Sequence, residues 1–482
     1  MNRFALLLGA ALALPAVAAP EKPADAPAIP ALPEPAPLSE LVRENVAALQ
    51  RRAADDPRAY DIVASLTTEV GPRLAGTSGD RAAVAWALTK LRELGFRNVH
   101  AESVEVPHWE RGALEAAILE PFPQTLRAVS LGGSIGTPSE GITAPLVTVA
   151  DLDELATLKP ADVRGRIVYI NGEMETHRDG SGYGKAVGKR TRGAIEAAKL
   201  GAVGVVIRSV GTDNNRIAHT GMMRYEDGVR RIPAIAISNP DADMLDRQVA
   251  SGREVIFHMT SSARYLPNEM SANVVGEIPG REKPEEIVLL GAHLDSWDVG
   301  TGAHDDAAGV GIVTAAARLI GDLRTPPKRT VRVVLFANEE FGLSGAKAYA
   351  VKHADELDRH VLAMEADFGA GRVWQFASRV AEESLPLVAA IHSQIEPLGI
   401  QWSGNKAYGG ADIGPIRELG VPVVQPGQDG TLYFDVHHTD NDTLDKIDPI
   451  QLNQNVAVYA TAAYIAAMAE GDFGRLEVTS DE

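Results

Sequence analysis

Three apolar stretches of the chain, each typical of a buried β-strand, end at side chains that can bind a metal ion or transfer a proton. The first stretch is followed by His293 and Asp295, the second by Glu339 and Glu340, and the third by Asp367. In open α/β sheets the ligand-binding crevice lies beyond the carboxyl ends of the strands. We therefore expect these side chains to meet at one edge of a sheet.

Two polar loops supply further candidates. Asp305 and Asp306 stand in a glycine-rich loop before an apolar helix, and His437 and His438 stand in a loop before the last helix. Each pair has an ordinary explanation on its own, because an aspartate can cap a helix and a histidine can simply be a polar loop residue. Together with the strand ends, however, the loops complete a set of imidazole and carboxylate groups that suits zinc.

The elements around these residues alternate between strand and helix. The predicted elements are strands at 99–106, 286–292, 330–337 and 361–366, and helices at 38–50, 80–94, 307–319, 385–395 and 451–468. Apolar strands that alternate with helices are typical of an α/β fold whose sheet is mixed, largely parallel and covered by helices.

The middle of the chain differs from the rest. Short β-rich runs separated by glycines and turns are predicted at 145–149, 166–170, 203–207 and 232–237, with one helix at 191–200. This region has few clustered histidines or carboxylates, which favours a separate, non-catalytic domain. We predict a first catalytic segment at 38–115, a β-rich insert at 116–265, a second catalytic segment at 266–472 and a tail at 473–482.

The N-terminus has the pattern of a signal peptide. Arg3 provides the positive start, an apolar run follows at 4–14, and small residues stand at 16–18. We predict a signal peptide at 1–18 and a Pro- and Ala-rich tether at 19–37. The apolar run is shorter than the roughly 20 residues that span a bilayer, which argues against a membrane anchor. We therefore expect an exported protein, either periplasmic or secreted.

Composition narrows the possible partners and ligands. The formal net charge is -19, which argues against binding to nucleic acid or to an anionic membrane, because both need a basic surface. The chain contains no cysteine, so disulfides, thiolate ligands and a cysteine nucleophile are excluded. Any metal ion must therefore be bound by His, Asp and Glu side chains.

Several short motifs carry a family resemblance. They are GAHLDS at 291–296, DDAAG at 305–309, ANEEFGL at 337–343, MEAD at 364–367 and HTDNDT at 438–443. As a set they resemble the co-catalytic zinc aminopeptidase and glutamate carboxypeptidase family. Residues 219–228 and 408–413 also resemble its glutamate carboxypeptidase branch. Through residues 163–168 and 197–207, the middle domain is similar to a protease-associated domain. The resemblance implies a zinc-exopeptidase fold with that domain inserted.

The resemblance also implies two zinc ions per chain. The implied ligands are His293, Asp305, Glu340, Asp367 and His438. His293 and Asp367 would hold one ion, Glu340 and His438 would hold the other, and Asp305 would bridge them. A carboxylate suits the bridging position because it offers two oxygens, and two zinc ions roughly 3.5–4 Å apart can activate a shared water molecule.

Three more residues receive roles from the resemblance. Glu339 would be the general base, Tyr408 would stabilise the oxyanion of the reacting carbonyl, and Asp295 would accept a hydrogen bond from His293 and fix its tautomer. One position departs from the family pattern, because His304 stands where many relatives carry an acidic residue. It adds a second candidate ligand beside Asp305, but a bridge needs two oxygens, so Asp305 remains the predicted bridging residue.

These observations predict an exported di-zinc exopeptidase that hydrolyses dipeptides or short peptides, as an aminopeptidase, dipeptidase or carboxypeptidase. The resemblance implies that the inserted domain leans over the metal site, where it would limit substrate length, and that the protein is a homodimer. Two alternatives remain open on the same fold. One is an inactive binding ectodomain, and the other is a one-zinc acyltransferase of the glutaminyl cyclase type.

Overall fold

The computed structural model describes residues 29–477 of the 482. The predicted signal peptide, the first part of the predicted tether and the end of the tail lie outside the described residues. Within residues 29–477, none of the helices has both the length and the apolar character needed to cross a membrane.

Strands in the described part of the chain form two eight-stranded sheets. In chain order they are β1 (Arg97–Glu110), β2 (Leu114–Glu120), β3 (Gln124–Thr125), β4 (Ala128–Ser130), β5 (Ile142–Val149), β6 (Ile167–Ile170), β7 (Gly204–Arg208), β8 (Ala234–Ile237), β9 (Ile256–Ser261), β10 (Arg264–Ile278), β11 (Lys283–His293), β12 (Arg329–Phe336), β13 (His360–Glu365), β14 (Val373–Arg379), β15 (Gln401–Trp402) and β16 (Val423–Gln428). The order of the first sheet is β1-β10-β12-β11-β13-β16-β14-β15, and that of the second is β3-β2-β9-β5-β6-β7-β8-β4.

The centre of the first sheet is parallel. Strands β12, β11, β13 and β16 are neighbours that run in the same direction. Antiparallel strands β10 and β14 flank this centre, and β1 pairs with β10 at one edge. The predicted α/β fold with a mixed, largely parallel sheet is confirmed.

Helices cover both faces of this sheet. The α-helices of the described chain are α1 (Glu40–Ala54), α2 (Arg58–Ser65), α3 (Ser78–Glu93), α4 (Leu152–Thr157), α5 (Pro160–Val163), α6 (Ser181–Lys199), α7 (Asn239–Ala250), α8 (Ala308–Gly321), α9 (Ser344–Lys352), α10 (Leu385–Ile395), α11 (Gly414–Glu418) and α12 (Pro449–Met468). Side chains alternate along β11: Val288 and Leu290 pack in the layer of α8 and α12, whereas Ile287 and Leu289 pack in the layer of α9 and α11.

The second sheet is built from strands between residues 114 and 261, and we call residues 114–261 the inserted unit. Its strands β5, β6, β7 and β8 are parallel neighbours, and the remaining strands pair antiparallel. The chain leaves the first sheet at Glu110 and returns to it at Arg264. These two residues are register partners in the β1–β10 pair. The inserted unit therefore begins and ends at one place on the edge of the first sheet.

The helix predicted at 191–200 is the second half of a longer helix, α6, which begins at Ser181. Its first half contains Gly182, Gly184 and Gly188, and glycine is a poor helix former. Packing of α6 against α4 and β7 stabilises the helix despite these glycines. Helices α2, α7 and α9 are further elements that the sequence analysis did not identify.

A single buried arginine holds the loop between β11 and α8, which carries several candidate site residues. Arg73 is 0% exposed. Its guanidinium donates hydrogen bonds to the carbonyls of Leu294 at 2.6 Å, Thr301 at 2.6 Å and Gly302 at 2.9 Å. Both ends of the loop are thus tied to one side chain from the first segment of the chain.

We expect Arg73→Met to lower the free energy of unfolding by roughly 3 kcal/mol or more, because two buried carbonyls and one partly buried carbonyl would lose their donors. The matched control is Arg81→Met, since Arg81 is exposed and makes one long hydrogen bond, 3.4 Å to the carbonyl of Gly76. Denaturant unfolding of both variants measures the difference. Equal stability of the two variants would show that Arg73 does not hold the loop.

Candidate functional site

The candidate site lies where strands β11, β12 and β13 end. His293 is the last residue of β11, Asp367 closely follows β13, and Glu339 and Glu340 closely follow β12. Because β11 lies between the other two strands and all three are parallel, their carboxyl ends meet at one edge of the sheet. The structure therefore brings these four side chains together.

Asp305 lies between two imidazoles. Its Oδ1 is 3.1 Å from Nε2 of His293, and its Oδ2 is 3.2 Å from Nε2 of His438. On the first side, His293 Nε2 also lies 3.3 Å from Asp367 Oδ1. On the second side, His438 Nε2 lies 3.0 Å from Glu340 Oε2. The two sides form two groups of donor atoms that share one carboxylate.

The donor atoms are suitably placed and available for a metal ion. Glu340 Oε1 and Asp305 Oδ2 are buried and have no hydrogen-bond partner of good geometry among the described residues, which is unusual for buried polar atoms. Three overlapping groups have all their ligand atoms within 4.8 Å of one another; they are Asp305, His437 and His438; His293, Asp305 and Glu340; and His293, Asp306 and Asp367. Imidazole nitrogen and carboxylate oxygen are ligands that zinc prefers.

Burial dominates the electrostatics of these carboxyl groups. Burial, together with neighbouring carboxylates, raises the pKa values of Glu339 and Glu340 well above their ordinary range. Burial opposes ionisation of Asp305 too, but a hydrogen bond from His293 and the nearby imidazole of His438 hold its pKa well below the usual value. Buried acidic groups this close together can all be ionised only if cations compensate their negative charge. The electrostatics thus fit a site for metal cations.

Asp295 supports the site in a different way from the one predicted. His293 Nδ1 donates to the main-chain carbonyl of Asp295 at 3.1 Å, whereas the Asp295 carboxylate is 3.6 Å away. That carboxylate instead accepts the N–H groups of Glu339 at 3.0 Å and Glu340 at 3.3 Å. It faces these amides because the turn after β12 points them inward, with Asn338 in the left-handed region at φ 59. Asp295 therefore orients both the histidine and the glutamate pair.

Glu339 and Tyr408 both line the cavity above the donor atoms. Among the described residues, Glu339 belongs to none of the groups with ligand spacing. Tyr408 is 56% exposed, and the guanidinium of Arg417 lies 4.7 Å from its ring centre. The structure thus places both side chains within reach of a molecule in the cavity.

His304, the departure from the family pattern, is turned away from the donor atoms. Its Nδ1 accepts the N–H of Ala370 at 3.2 Å, and its Nε2 donates to the carbonyl of Lys446 at 3.2 Å. With both ring nitrogens engaged by the main chain, His304 does not add a ligand at the position of Asp305.

Three further residues lie at the site although the sequence analysis gave them no firm role. His437 stacks on His438 with ring centres 3.5 Å apart and has its Nε2 3.7 Å from Asp305 Oδ2. Asp306 accepts the N–H of His293 at 3.1 Å. Asp442 accepts the N–H of Asp305 at 3.1 Å. For Asp306 and His437, the sequence did contain a signal, because each stands next to a predicted ligand of the same residue type, Asp305 or His438.

A cavity of about 640 Å³ opens above the donor atoms. One wall comes from the main part of the chain and carries the site residues. The other wall comes from the inserted unit, and its residues are Tyr183, Arg190, Thr191, Met222 and Arg224. The inserted unit therefore covers the donor atoms on one side, and Arg190 and Arg224 place cationic groups opposite the acidic wall.

Sequence comparisons identify two known modules. Residues 273–463 match the model of peptidase family M28, and residues 142–245 match that of the PA domain. Carboxypeptidase Q of Rattus norvegicus is 40% identical over 413 residues, which cover 86% of this chain and 86% of the relative. Aminopeptidase YwaD of Bacillus subtilis is 26% identical over 426 residues, which cover 86% of this chain and 85% of the relative.

Solved structures agree with these matches. A peptidase M28 precursor from Shewanella amazonensis has a TM-score of 0.89 and 50% identity, with 91% of this chain and 99% of that chain covered. BSAP, a zinc aminopeptidase from Bacillus subtilis, shares the fold with a TM-score of 0.61 and 22% identity, with 86% of this chain and 95% of that chain covered. These relationships confirm the predicted family resemblance and the prediction of a zinc metallo-exopeptidase. This chain belongs to peptidase family M28, with a PA domain inserted between β1 and β10.

Proposed function

We propose that this chain is an exported exopeptidase that uses two zinc ions to hydrolyse dipeptides or short peptides. The observation that carries the proposal is the position of Asp305, whose oxygens face His293 Nε2 at 3.1 Å and His438 Nε2 at 3.2 Å. A carboxylate that faces two imidazoles can bridge two metal ions.

Each ion would have two ligands of its own besides the shared Asp305. His293 and Asp367 would hold one zinc ion, and Glu340 and His438 would hold the other. The buried, unpartnered oxygens of Glu340 and Asp305 support this assignment. When bound, the zinc ions would supply Lewis acidity that polarises the peptide carbonyl and lowers the pKa of a water molecule.

Glu339 is the proposed general base. It would take a proton from the attacking water and pass it to the leaving amine. It lines the cavity and belongs to none of the groups with ligand spacing among the described residues, so its carboxylate would stay free for this proton transfer. Tyr408 lies on the cavity wall, and its hydroxyl would donate a hydrogen bond to the oxyanion of the reacting carbonyl. Asp295 holds the main chain of Glu339 and is a positioning residue.

The covered cavity favours short substrates. A volume of about 640 Å³ is in the usual range for small-molecule sites, roughly 300–1,000 Å³. Side chains of the inserted unit form one wall of the cavity, where they would hinder a continuous chain. Arg190 and Arg224 line the same wall, so a free carboxylate of a dipeptide would meet positive charge there. The cover would also exclude water from the site.

Export and assembly belong to the proposal as well. Export rests on the signal-peptide pattern at 1–18, and the compartment would be the periplasm or the medium. A homodimer rests on the family resemblance alone. We propose neither nucleic acid nor a membrane surface as a partner.

The alternative functions fit the site less well. An inactive binding domain needs none of the proton-transfer groups, yet Glu339 lines the cavity beside a complete set of donor atoms. A one-zinc acyltransferase could use Asp305, Glu340 and His438, but it leaves His293 and Asp367 without a purpose. On the first side of Asp305, His293 Nε2 lies 3.3 Å from Asp367 Oδ1, which favours the two-metal peptidase.

The metal assignment predicts close to two zinc ions per purified chain and loss of hydrolysis after chelation. His293→Ala and Asp367→Ala should each lower the zinc content, because each removes a ligand of the same ion. His304→Ala is the matched control, since this histidine belongs to the same region but bonds only to main-chain groups. Elemental analysis of the four proteins gives the result, and full zinc content in both ligand variants would disprove the assignment.

The adjacent glutamates should separate into a base and a ligand. Glu339→Gln should keep its zinc while kcat falls by roughly two to four decades, the usual contribution of a positioned acid–base group. Glu340→Gln should lose zinc instead. Zinc content and kcat, measured on both variants, test the order within the pair. Exchanged phenotypes would mean that Glu340 is the base.

The cover should limit substrate length. Met222→Ala would widen the wall of the inserted unit, so kcat/KM for a ten-residue peptide should rise relative to that for a dipeptide. A point substitution is the cleaner test, because shortening residues 211–227 would also remove contacts to His437 and His438. Met270→Ala is the control, as Met270 is 54% exposed and does not line the cavity. An unchanged ratio in a folded, zinc-loaded Met222→Ala variant would exclude this wall as the limit.

A further inference from the structure

A loop of the inserted unit contacts the turn that carries the C-terminal zinc ligand. The loop spans residues 211–220, and the turn spans residues 433–439. The N–H of Thr212 donates to the carbonyl of Phe434 at 3.1 Å, and its hydroxyl donates to the Asp435 carboxylate at 2.7 Å. The inserted unit thus contacts this turn at residues that directly precede the two histidines in the chain.

The contacts continue at the histidines themselves. Nδ1 of His219 donates to the carbonyl of His437 at 2.7 Å. The N–H of Thr220 donates to the carbonyl of His438 at 3.0 Å, and the carbonyl of Thr220 accepts from Nδ1 of His438 at 3.3 Å. His438 is therefore held both by its main chain and by the ring nitrogen that does not face Asp305.

His219 is in turn fixed by its surroundings. It is 0% exposed, and its Nε2 lies 2.7 Å from Oδ1 of Asp213. Two glycines mark close packing around His219 and His438. A Cβ on Gly211 would lie 2.2 Å from the His219 ring within the same loop, and a Cβ on Gly221, just after the loop, would lie 2.5 Å from Cζ of Arg190 and 2.7 Å from Nδ1 of His438. This close packing and the hydrogen bond to Asp213 hold the His219 ring in one orientation.

His438 needs this support for two reasons. Its backbone lies in the left-handed region at φ 62, which is unfavourable for a residue with a Cβ. Its Nε2 must also face Asp305 and Glu340 together, at 3.2 Å and 3.0 Å. A hydrogen bond from the second ring nitrogen of a metal-binding histidine fixes both its tautomer and its ring orientation.

We infer that the inserted unit is a structural part of the metal site, and that His219 is a positioning residue for His438. The inference rests on the proposed zinc-binding role of His438. The essential contact is the hydrogen bond from His219 Nδ1 to the carbonyl of His437, which fixes the main chain just before His438. The contact of His219 with Asp213 only orients the His219 ring.

Two substitutions at one position separate these contacts. In His219→Asn the amide nitrogen stands two bonds beyond Cβ, as Nδ1 does. This variant therefore keeps a donor for the His437 carbonyl and loses the hydrogen bond to Asp213. In His219→Gln the amide nitrogen stands three bonds beyond Cβ, as Nε2 does. This variant therefore keeps a donor for Asp213 and loses the hydrogen bond to the His437 carbonyl. His219→Asn loses the bond to the buried Asp213 carboxylate, which is the more costly one to remove, whereas His219→Gln loses the bond to a main-chain carbonyl. A role in folding stability alone would therefore affect His219→Asn more, which is the reverse of the order expected for zinc affinity.

We expect His219→Gln to bind one of two zinc ions roughly 10–100-fold more weakly than the wild type, the usual effect of losing a supporting hydrogen bond. His219→Asn should retain most of the affinity. Zinc content after equilibration in buffers of graded free zinc measures this, and thermal unfolding of the same samples shows that the variants are folded. Equal zinc affinity in the two variants would overturn the inference.

Two further variants complete the experiment. Gln248→Ala removes a buried side chain of the inserted unit that bonds to the main chain of Phe122, and it should keep wild-type zinc affinity. If His219→Gln does not fold, Thr212→Val tests whether the inserted unit is a structural part of the metal site, because it deletes only the hydroxyl bonded to Asp435. Weaker zinc binding by Thr212→Val supports that part of the inference, and unchanged binding overturns it. A wild-type protein without two zinc ions would instead contradict the proposed function.

Discussion

The site depends on one buried carboxylate that stays charged. Burial opposes ionisation of Asp305, but a hydrogen bond from His293 and the nearby imidazole of His438 hold its pKa well below the usual range. Its two oxygens face two imidazoles. The main chain around it is anchored by carboxylates as well, since Asp442 accepts the N–H of Asp305 and Asp306 accepts the N–H of His293. The surrounding structure keeps the Asp305 carboxylate and the two imidazoles in this relative orientation.

Many acidic groups in a small buried volume repel one another, and this constraint explains the surrounding structure. Burial raises the pKa values of Glu339 and Glu340, so these groups remain together only where rigid elements and compensating donors hold them. Parallel strands β11, β12 and β13 supply the rigid elements. Asp295 supplies acceptors that fix the turn after β12, and Arg73 ties down the loop after β11. Bound cations would remove the remaining repulsion.

The features that could be predicted from the sequence are those with a local pattern of residues. Strand β11 is a continuous apolar run, and the predicted range of 286–292 lies within its observed bounds of Lys283–His293. The first half of α6 was missed because its glycines oppose helix formation, and packing overrides that propensity. The contact of His219 with His437 joins residues 218 positions apart, and no local pattern encodes it. His304 had the right chemistry for a ligand, but the main chain around it engages both ring nitrogens.

The proposed double role of the inserted unit has a consequence for how substrates are limited. A cover that opened as a lid would have to break the hydrogen bonds of Thr212, His219 and Thr220 to the 433–439 turn. Each such bond contributes about 0.5–1.5 kcal/mol, and their loss would also release His438 from its left-handed conformation. An opening motion would thus weaken the metal site on every turnover. We therefore favour a fixed wall, whose shape limits substrate length throughout the catalytic cycle, over a lid that closes on the bound peptide.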